Sequence, residues 1–83
     1  MDNMVTPQII EDNILTVQYH VFPGTTLTAA CITLKNGFTV LGQSACADPE
    51  NFDSEIGESL ALENAKSKMW ALLGFRLKDQ MEN

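Results

Sequence analysis

The chain contains few of the residues from which metal centres and nucleophilic sites are built. It has one histidine, His20, and two cysteines among 83 residues. One chain therefore lacks a histidine pair for a metal, and Cys31 and Cys46 are not spaced like the cysteines of structural zinc sites. Both thiols lie in apolar, strand-like sequence, where burial keeps a cysteine unreactive. We therefore expect no metal site, no cofactor and no enzymatic activity.

Long apolar runs and export signals are also missing. The sequence has no stretch of about 18 apolar residues, so no helix is predicted to cross a membrane. Residues 1–4 lack the basic and apolar segments of a signal peptide. We expect a protein that is not exported and whose cysteines stay reduced.

Basic residues are scarce, with five against eleven acidic ones and a formal net charge of −6. This sign disfavours direct binding to nucleic acid and favours a partner protein with a basic surface. Positions 36–65 hold no Lys or Arg. The candidate partner-binding acids in this segment are Asp48, Glu50, Asp53, Glu55 and Glu58. Acids at a helix start also stabilise the helix dipole, so a purely structural role is the alternative.

The length predicts a single small α+β domain over residues 1–83. Folding of such a chain removes only about 60–65% of the unfolded surface from water, which leaves little stability in reserve. A partner subunit is one way to supplement the core, and we expect a homodimer.

The N-terminal part predicts a short helix followed by an extended segment. Thr6 is suited to the N-cap and Pro7 to the first helical position, which favours a helix over about residues 7–15. Apolar and polar residues then alternate from Val17 to Phe22. This segment is predicted to be either a third strand or a loop.

A β-hairpin is predicted for residues 27–34 and 38–45, joined at Asn36-Gly37. Asn-Gly favours a two-residue type I′ turn, because both central residues need a positive φ. That turn would pair Thr33 with Val40 and Leu27 with Cys46. Cys31 and Cys46 would then lie roughly 13 Å apart along the ladder, beyond the roughly 7 Å limit of a disulfide.

Both faces of this hairpin are predicted to be apolar and to require cover. The first face would carry Leu27, Ala29, Cys31, Phe38, Val40 and Cys46. The second would carry Ala30, Ile32, Leu34, Leu41 and Ala45. A long amphipathic helix would cover one face, and the N-terminal helix or a second subunit would cover the other.

The long C-terminal helix is predicted to begin at Asp48-Pro49 and to stop at Gly74. We expect residues 74–77 to form a short edge strand or a docked tail, residues 78–83 to fray, and Trp70 to lie in the core. Small residues recur every four positions within the helix, at Gly57, Ala61 and Ala65. Such a stripe packs either on the sheet or on the same helix of a second subunit, where it would form the dimer interface.

The turn before the hairpin is a second candidate site, for a small ligand. Its backbone N–H groups and hydroxyls suit an anion, although it lacks the lysine of a P-loop. The candidate ligand loop comprises Tyr19, His20, Phe22, Gly24, Thr25 and Thr26. Turn formation alone also explains these residues.

The overall pattern resembles a known family. The matching segments include Phe22-Pro23-Gly24-Thr25-Thr26, Lys35-Asn36-Gly37-Phe38, Pro49-Glu50-Asn51-Phe52-Asp53 and Glu55-Ile56-Gly57. Together they are similar to the phage gene-forty-nine/gene-sixty-six family of small tailed-phage proteins. The resemblance implies a viral accessory protein in the cytoplasm of an infected bacterium, where it would inhibit a host protein such as a CRISPR defence component. The alternative is an oligomeric sponge for a small cyclic nucleotide.

Overall fold

The computed structural model describes residues 4–82 and has the predicted α+β architecture. A short helix precedes three antiparallel strands in the order β1-β2-β3, and a long helix packs on β2 and β3. The elements are α1 Pro7–Asp12, β1 Ile14–Val21, β2 Leu27–Leu34, β3 Thr39–Ala45, a 3₁₀ turn Pro49–Asn51 and α2 Ser54–Glu82. The segment after α1 is therefore a strand, the first of the two alternatives.

Helix α1 begins as predicted and ends earlier. Thr6 caps it, because its Oγ1 accepts a hydrogen bond from the Ile9 N–H at 3.2 Å, and Pro7 occupies the first turn. The predicted helix to residue 15 is wrong, since Asn13 ends the helix and donates from its side-chain amide to the Ile9 carbonyl at 2.8 Å. Leu15 belongs to β1.

The hairpin lies where it was predicted, but its turn and register differ. Asn36 does not have a positive φ, whereas Gly37 has φ +90°. The Gly37 N–H donates to the Leu34 carbonyl, and the Leu34 N–H donates to the Phe38 carbonyl. These bonds define a three-residue loop that ends in a left-handed glycine. Thr33 therefore pairs with Thr39 rather than with Val40.

This one-residue shift exchanges the faces of β3. Val40 now pairs with Ile32 and is buried beneath α2, while Leu41 is 55% exposed on the opposite, outer face. The prediction that both faces are apolar is wrong, because the outer face mixes small, polar and apolar residues. It carries Thr16, Gln18, His20, Leu27, Ala29, Cys31, Thr33, Thr39, Leu41, Gln43 and Ala45. The burial of Val40 decides the register, since a slip by one residue would expose it.

Helix α2 starts later and runs further than predicted. Asp48 and Pro49 form the separate 3₁₀ turn, and α2 continues through Gly74 to Glu82. Three predictions for this end of the chain are wrong, because the helix is continuous there. They are the stop at Gly74, the strand or tail over residues 74–77 and the frayed end over residues 78–82. Residue 83 lies outside the described range. A glycine stop needs a positive φ, which Gly74 does not adopt. Leu73 is buried, and with Leu77 it lines a cleft against the N-terminal segment.

The stripe of small residues on α2 packs on the sheet of its own chain. Ala61 and Ala65 are fully buried, and Gly57 is buried. A Cβ at Gly42 of β3 would lie 2.3 Å from the Ala61 carbonyl oxygen and 2.3 Å from the Ala65 nitrogen. The backbones of helix and strand are thus in direct contact. The assignment of Gly57, Ala61 and Ala65 to a dimer interface is corrected, because a second subunit has no access to them.

Candidate partner-binding surface

The predicted acidic residues lie in the connection from β3 to α2 and in the first turns of α2, and two of them have structural roles. The Asp48 carboxylate accepts from the Glu50 N–H at 3.0 Å and from the Asn51 side-chain amide at 2.8 Å. The Asp53 carboxylate accepts from the Glu55 N–H at 2.9 Å and so caps α2. Capping satisfies backbone donors that a helix start leaves free. Asp48 and Asp53 therefore shape the surface as well as charging it.

The other three acids, Glu50, Glu55 and Glu58, have no such capping role. Glu50 and Glu55 are exposed and Glu58 is half-buried. The ion pairs within residues 4–82 join Lys66 to Glu11 and Lys78 to Glu82. All five candidate carboxylates are thus free of a lysine or arginine partner in the part of the chain that the structure describes. The negative field at this end of the molecule is uncompensated locally.

One of these acids, Asp53, lines an apolar cleft of about 150 Å³. Phe52 and Cys46 line it on the side of the connecting segment, and Ile56 and Leu60 line it on the side of α2. Ile56 is 59% exposed and Leu60 is 55% exposed, and a spacing of four residues places them on one side of the helix. We call Cys46, Phe52, Ile56 and Leu60, together with the five acids at positions 48–58, the acidic cleft.

Two close contacts fix the α2 wall of this cleft. The Ser44 hydroxyl donates to the Gly57 carbonyl at 2.8 Å. A Cβ at Gly57 would lie 2.7 Å from Thr28 Oγ1 and 3.4 Å from the Phe52 ring. Glycine at this position therefore lets α2 approach β2 and β3 closely, which sets Ile56 and Leu60 at the rim. The contact explains why a residue unfavourable within a helix occurs here.

The candidate ligand loop does not form one site. Tyr19 pairs with Ala30 on the face covered by α2, whereas His20 pairs with Ala29 on the outer face. The His20 ring packs edge-on against Phe22, with centroids 4.6 Å apart. The hydroxyl of Thr25 donates to the Phe22 carbonyl at 2.7 Å.

The remaining loop groups are also engaged within the chain. The Thr26 hydroxyl donates to the Cys46 carbonyl at 2.6 Å, and Gly24 has φ +78° in the turn. Within one chain these residues do not form a single pocket, because the side chains of Tyr19 and His20 lie on opposite faces and both threonine hydroxyls are bonded within the chain. A nucleotide pocket formed by this loop at a subunit interface stays a prediction.

Trp70 and the cysteines complete the comparison with the predictions. Trp70 is 40% exposed in a cleft between α1 and α2, beside Lys66 and Glu11, so its placement in the core is wrong. Cys31 and Cys46 are free thiols, as predicted. Within residues 4–82, no cluster of three acidic, histidine or cysteine side chains is arranged to bind a metal ion. No helix in the same range is long and apolar enough to cross a membrane.

Sequence reasoning missed the apolar part of the acidic cleft. Phe52, Ile56 and Leu60 recur every four residues, a pattern that predicts burial on one side of a helix, whereas Ile56 is 59% and Leu60 is 55% exposed. The available signal was the row of small residues, since small side chains permit the closest helix contact and leave the adjacent row at the rim.

Comparison with known proteins identifies a phage family. A family model described as "Phage protein (N4 Gp49/phage Sf6 gene 66) family" matches residues 5–81. This finding confirms the resemblance noted in the sequence. The search of curated proteins gives no match, and neither does the search of solved structures.

Proposed function

This chain belongs to the N4 Gp49/phage Sf6 gene 66 family of phage proteins, and we propose that it is a non-enzymatic accessory protein that binds and inhibits a host protein. It acts in the cytoplasm of the infected bacterium. The target is a protein with a basic, partly apolar surface. A defence component whose basic surface normally holds nucleic acid, such as a CRISPR complex, fits this description.

The acidic cleft is the observation that carries the proposal. The exposed apolar side chains of Ile56 and Leu60 line a cleft together with Asp53. The five carboxylates at positions 48–58 have no basic partner among the described residues. Carboxylates around an interface speed association with a basic partner and set its orientation. Apolar side chains that become buried on binding slow dissociation.

The acids divide into two groups for mutagenesis. Asp48 and Asp53 cap helical turns, so replacing them would disturb the fold. Glu50, Glu55 and Glu58 have no capping bond. The triple variant Glu50→Lys, Glu55→Lys and Glu58→Lys therefore tests the charge of the surface while keeping both caps.

The test is the association rate with a purified host target, recovered from lysate on the immobilised wild-type chain. At low ionic strength, the triple variant should associate at least about tenfold more slowly than wild type, and added salt should reduce the difference. The control is Asp12→Lys, Asp79→Lys and Glu82→Lys, which changes the net charge equally at positions remote from the cleft in sequence. Equal slowing by both triple variants would reject the acidic cleft as the binding site.

A second variant tests the apolar component. Ile56→Ser and Leu60→Ser together should raise the dissociation rate with little effect on the association rate. Both residues are more than half exposed, so the fold should tolerate the change. Unchanged dissociation would show that the partner does not contact the cleft.

A further inference from the structure

The two edges of the sheet differ in how they are protected. On the outer edge of β3, Lys68 Nζ donates to the Leu41 carbonyl at 2.6 Å, and the Gln43 N–H donates to Asn64 Oδ1 at 3.0 Å. Both side chains come from α2. They occupy backbone groups that an added strand would need, which is one way proteins prevent pairing at an edge.

The β1 edge has no comparable protection. The Phe22 N–H donates to the Leu27 carbonyl, and bonded pairs alternate along an antiparallel ladder. Val17, Tyr19 and Val21 therefore direct their N–H and C=O groups away from β2. Within residues 4–82, no other hydrogen bond reaches these groups. The strand also contains no Lys, Arg, Asp, Glu or Pro.

The sequence of this edge is symmetric in chemical type. Residues 17–21 are Val-Gln-Tyr-His-Val, with apolar and polar side chains arranged equally on either side of Tyr19. We propose that a second copy of the chain adds its β1 antiparallel to this one, about a two-fold axis at Tyr19. The two three-stranded sheets then form one continuous sheet.

This register satisfies the free backbone groups. Tyr19 lies opposite the partner's Tyr19, and Val17 lies opposite the partner's Val21. All three residues direct their backbone groups outward, so each pair exchanges both of its N–H···O bonds. A register shifted by one residue would pair residues whose N–H and C=O groups point away from their own β2 with residues whose groups point toward it, and these cannot bond to each other.

The side chains agree with the same register. Tyr19 is 39% exposed on the face where α2 packs on β2 and β3, so it has room for a neighbour. Aromatic and β-branched pairs across strands are stabilising. On the outer face, Gln18 lies opposite the partner's His20. Apolar groups thus meet apolar groups and polar groups meet polar groups, as a self-complementary two-fold interface requires.

Assembly through β1 ends at two chains. The outer edges of the joined sheet are the two β3 strands, whose Leu41 and Gln43 groups are already bonded to α2 side chains. The interface therefore gives a closed dimer rather than a fibre.

The first experiment measures mass by sedimentation equilibrium over a range of concentrations. Because each chain has a net charge of −6, salt of about 0.3 M is used to screen repulsion. Wild type should approach twice the 9.2 kDa chain mass. Tyr19→Pro removes an N–H that β2 does not use and should give the monomer. The matched control Leu41→Pro, also at an outward position of an edge strand, should still form the dimer.

A crosslink keeps the test decisive if the proline variants fold poorly. In a Cys31→Ser, Cys46→Ser background, Tyr19→Cys should oxidise to a covalent dimer. Bonded pairs have Cα atoms about 5.5 Å apart, within disulfide range. Leu41→Cys, on the other edge, should not crosslink.

Three results would overturn the proposal. They are a wild type that is monomeric at every concentration, a dimer that persists in a folded Tyr19→Pro variant, and crosslinking through Leu41→Cys instead of Tyr19→Cys. A monomer that binds an extended peptide would assign the edge to another protein. These outcomes are independent of the acidic cleft, because the variants that test the cleft leave β1 unchanged.

Discussion

Adding one methyl group at Gly42 should force α2 away from the sheet. In Gly42→Ala, the new Cβ would lie 2.3 Å from two backbone atoms of α2 and 2.7 Å from the Ala65 Cα. Ordinary contact needs 3.4 Å or more, so the helix must retreat by about 1 Å along its contact with β3. No flexible side chain is available to move instead.

The cost should reach the upper end of the range for overpacked cores, about 3 kcal/mol. A domain of this size has a free energy of unfolding of about 4–12 kcal/mol. The melting temperature should fall by about 12 °C or more, at about 4–8 °C per kcal/mol. Urea and thermal unfolding followed by far-UV circular dichroism would measure both quantities.

The matched control is the same substitution at Gly74. A Cβ there has no neighbour within 4 Å, and the residue lies inside α2. Gly74→Ala should therefore stabilise the protein by about 1 kcal/mol through helix propensity. We therefore expect the free energy of unfolding to fall in Gly42→Ala and to rise in Gly74→Ala. If Gly42→Ala lowered the free energy of unfolding by less than about 1 kcal/mol, the direct backbone contact between α2 and β3 would be refuted.

Two further predictions concern buried and edge groups. Thr28 is fully buried, and its hydroxyl has no hydrogen-bond partner among the described residues. Thr28→Val should therefore raise the free energy of unfolding, measured in urea, by about 1 kcal/mol. A lower free energy of unfolding would mean that the hydroxyl does have a hydrogen-bond partner. The double variant Asn64→Leu, Lys68→Met removes the side chains that bond the Leu41 carbonyl and the Gln43 N–H. Light scattering should then detect species larger than a dimer, while the helix content stays unchanged. A mass distribution identical to that of wild type would show that these side chains do not block strand pairing.

Local signals in the sequence predicted α1, the hairpin and the long C-terminal helix, and left β1 open between a strand and a loop. Thr6-Pro7 marked the start of α1, and Asn36-Gly37 marked the hairpin, because caps and turns depend on neighbouring residues. The hairpin register was not predictable in this way. Asn-Gly suits loops of two and of three residues, and the choice follows from the burial of Val40 beneath α2.

The end of α2 and the acidic cleft also depend in part on tertiary packing, which local sequence signals do not reveal. Gly74 is a stop signal only when nothing holds the next turn, and here Leu73 and Leu77 lie against the N-terminal segment. The acids of the candidate surface were evident from charge alone. The exposure of Ile56 and Leu60 was not, because it depends on how closely the glycine and alanine row approaches the sheet.

The protection of β3 has a consequence for synthesis on the ribosome. The strand is complete at Ala45, but Asn64 and Lys68 are translated about twenty residues later, at about 5–20 residues per second. In the growing chain, the edge of β3 therefore keeps unbonded backbone groups until α2 has left the ribosome and packed on the sheet. Slow translation between these points, or crowding of neighbouring polysomes, should favour misassembly of unfinished chains even though the finished protein resists it.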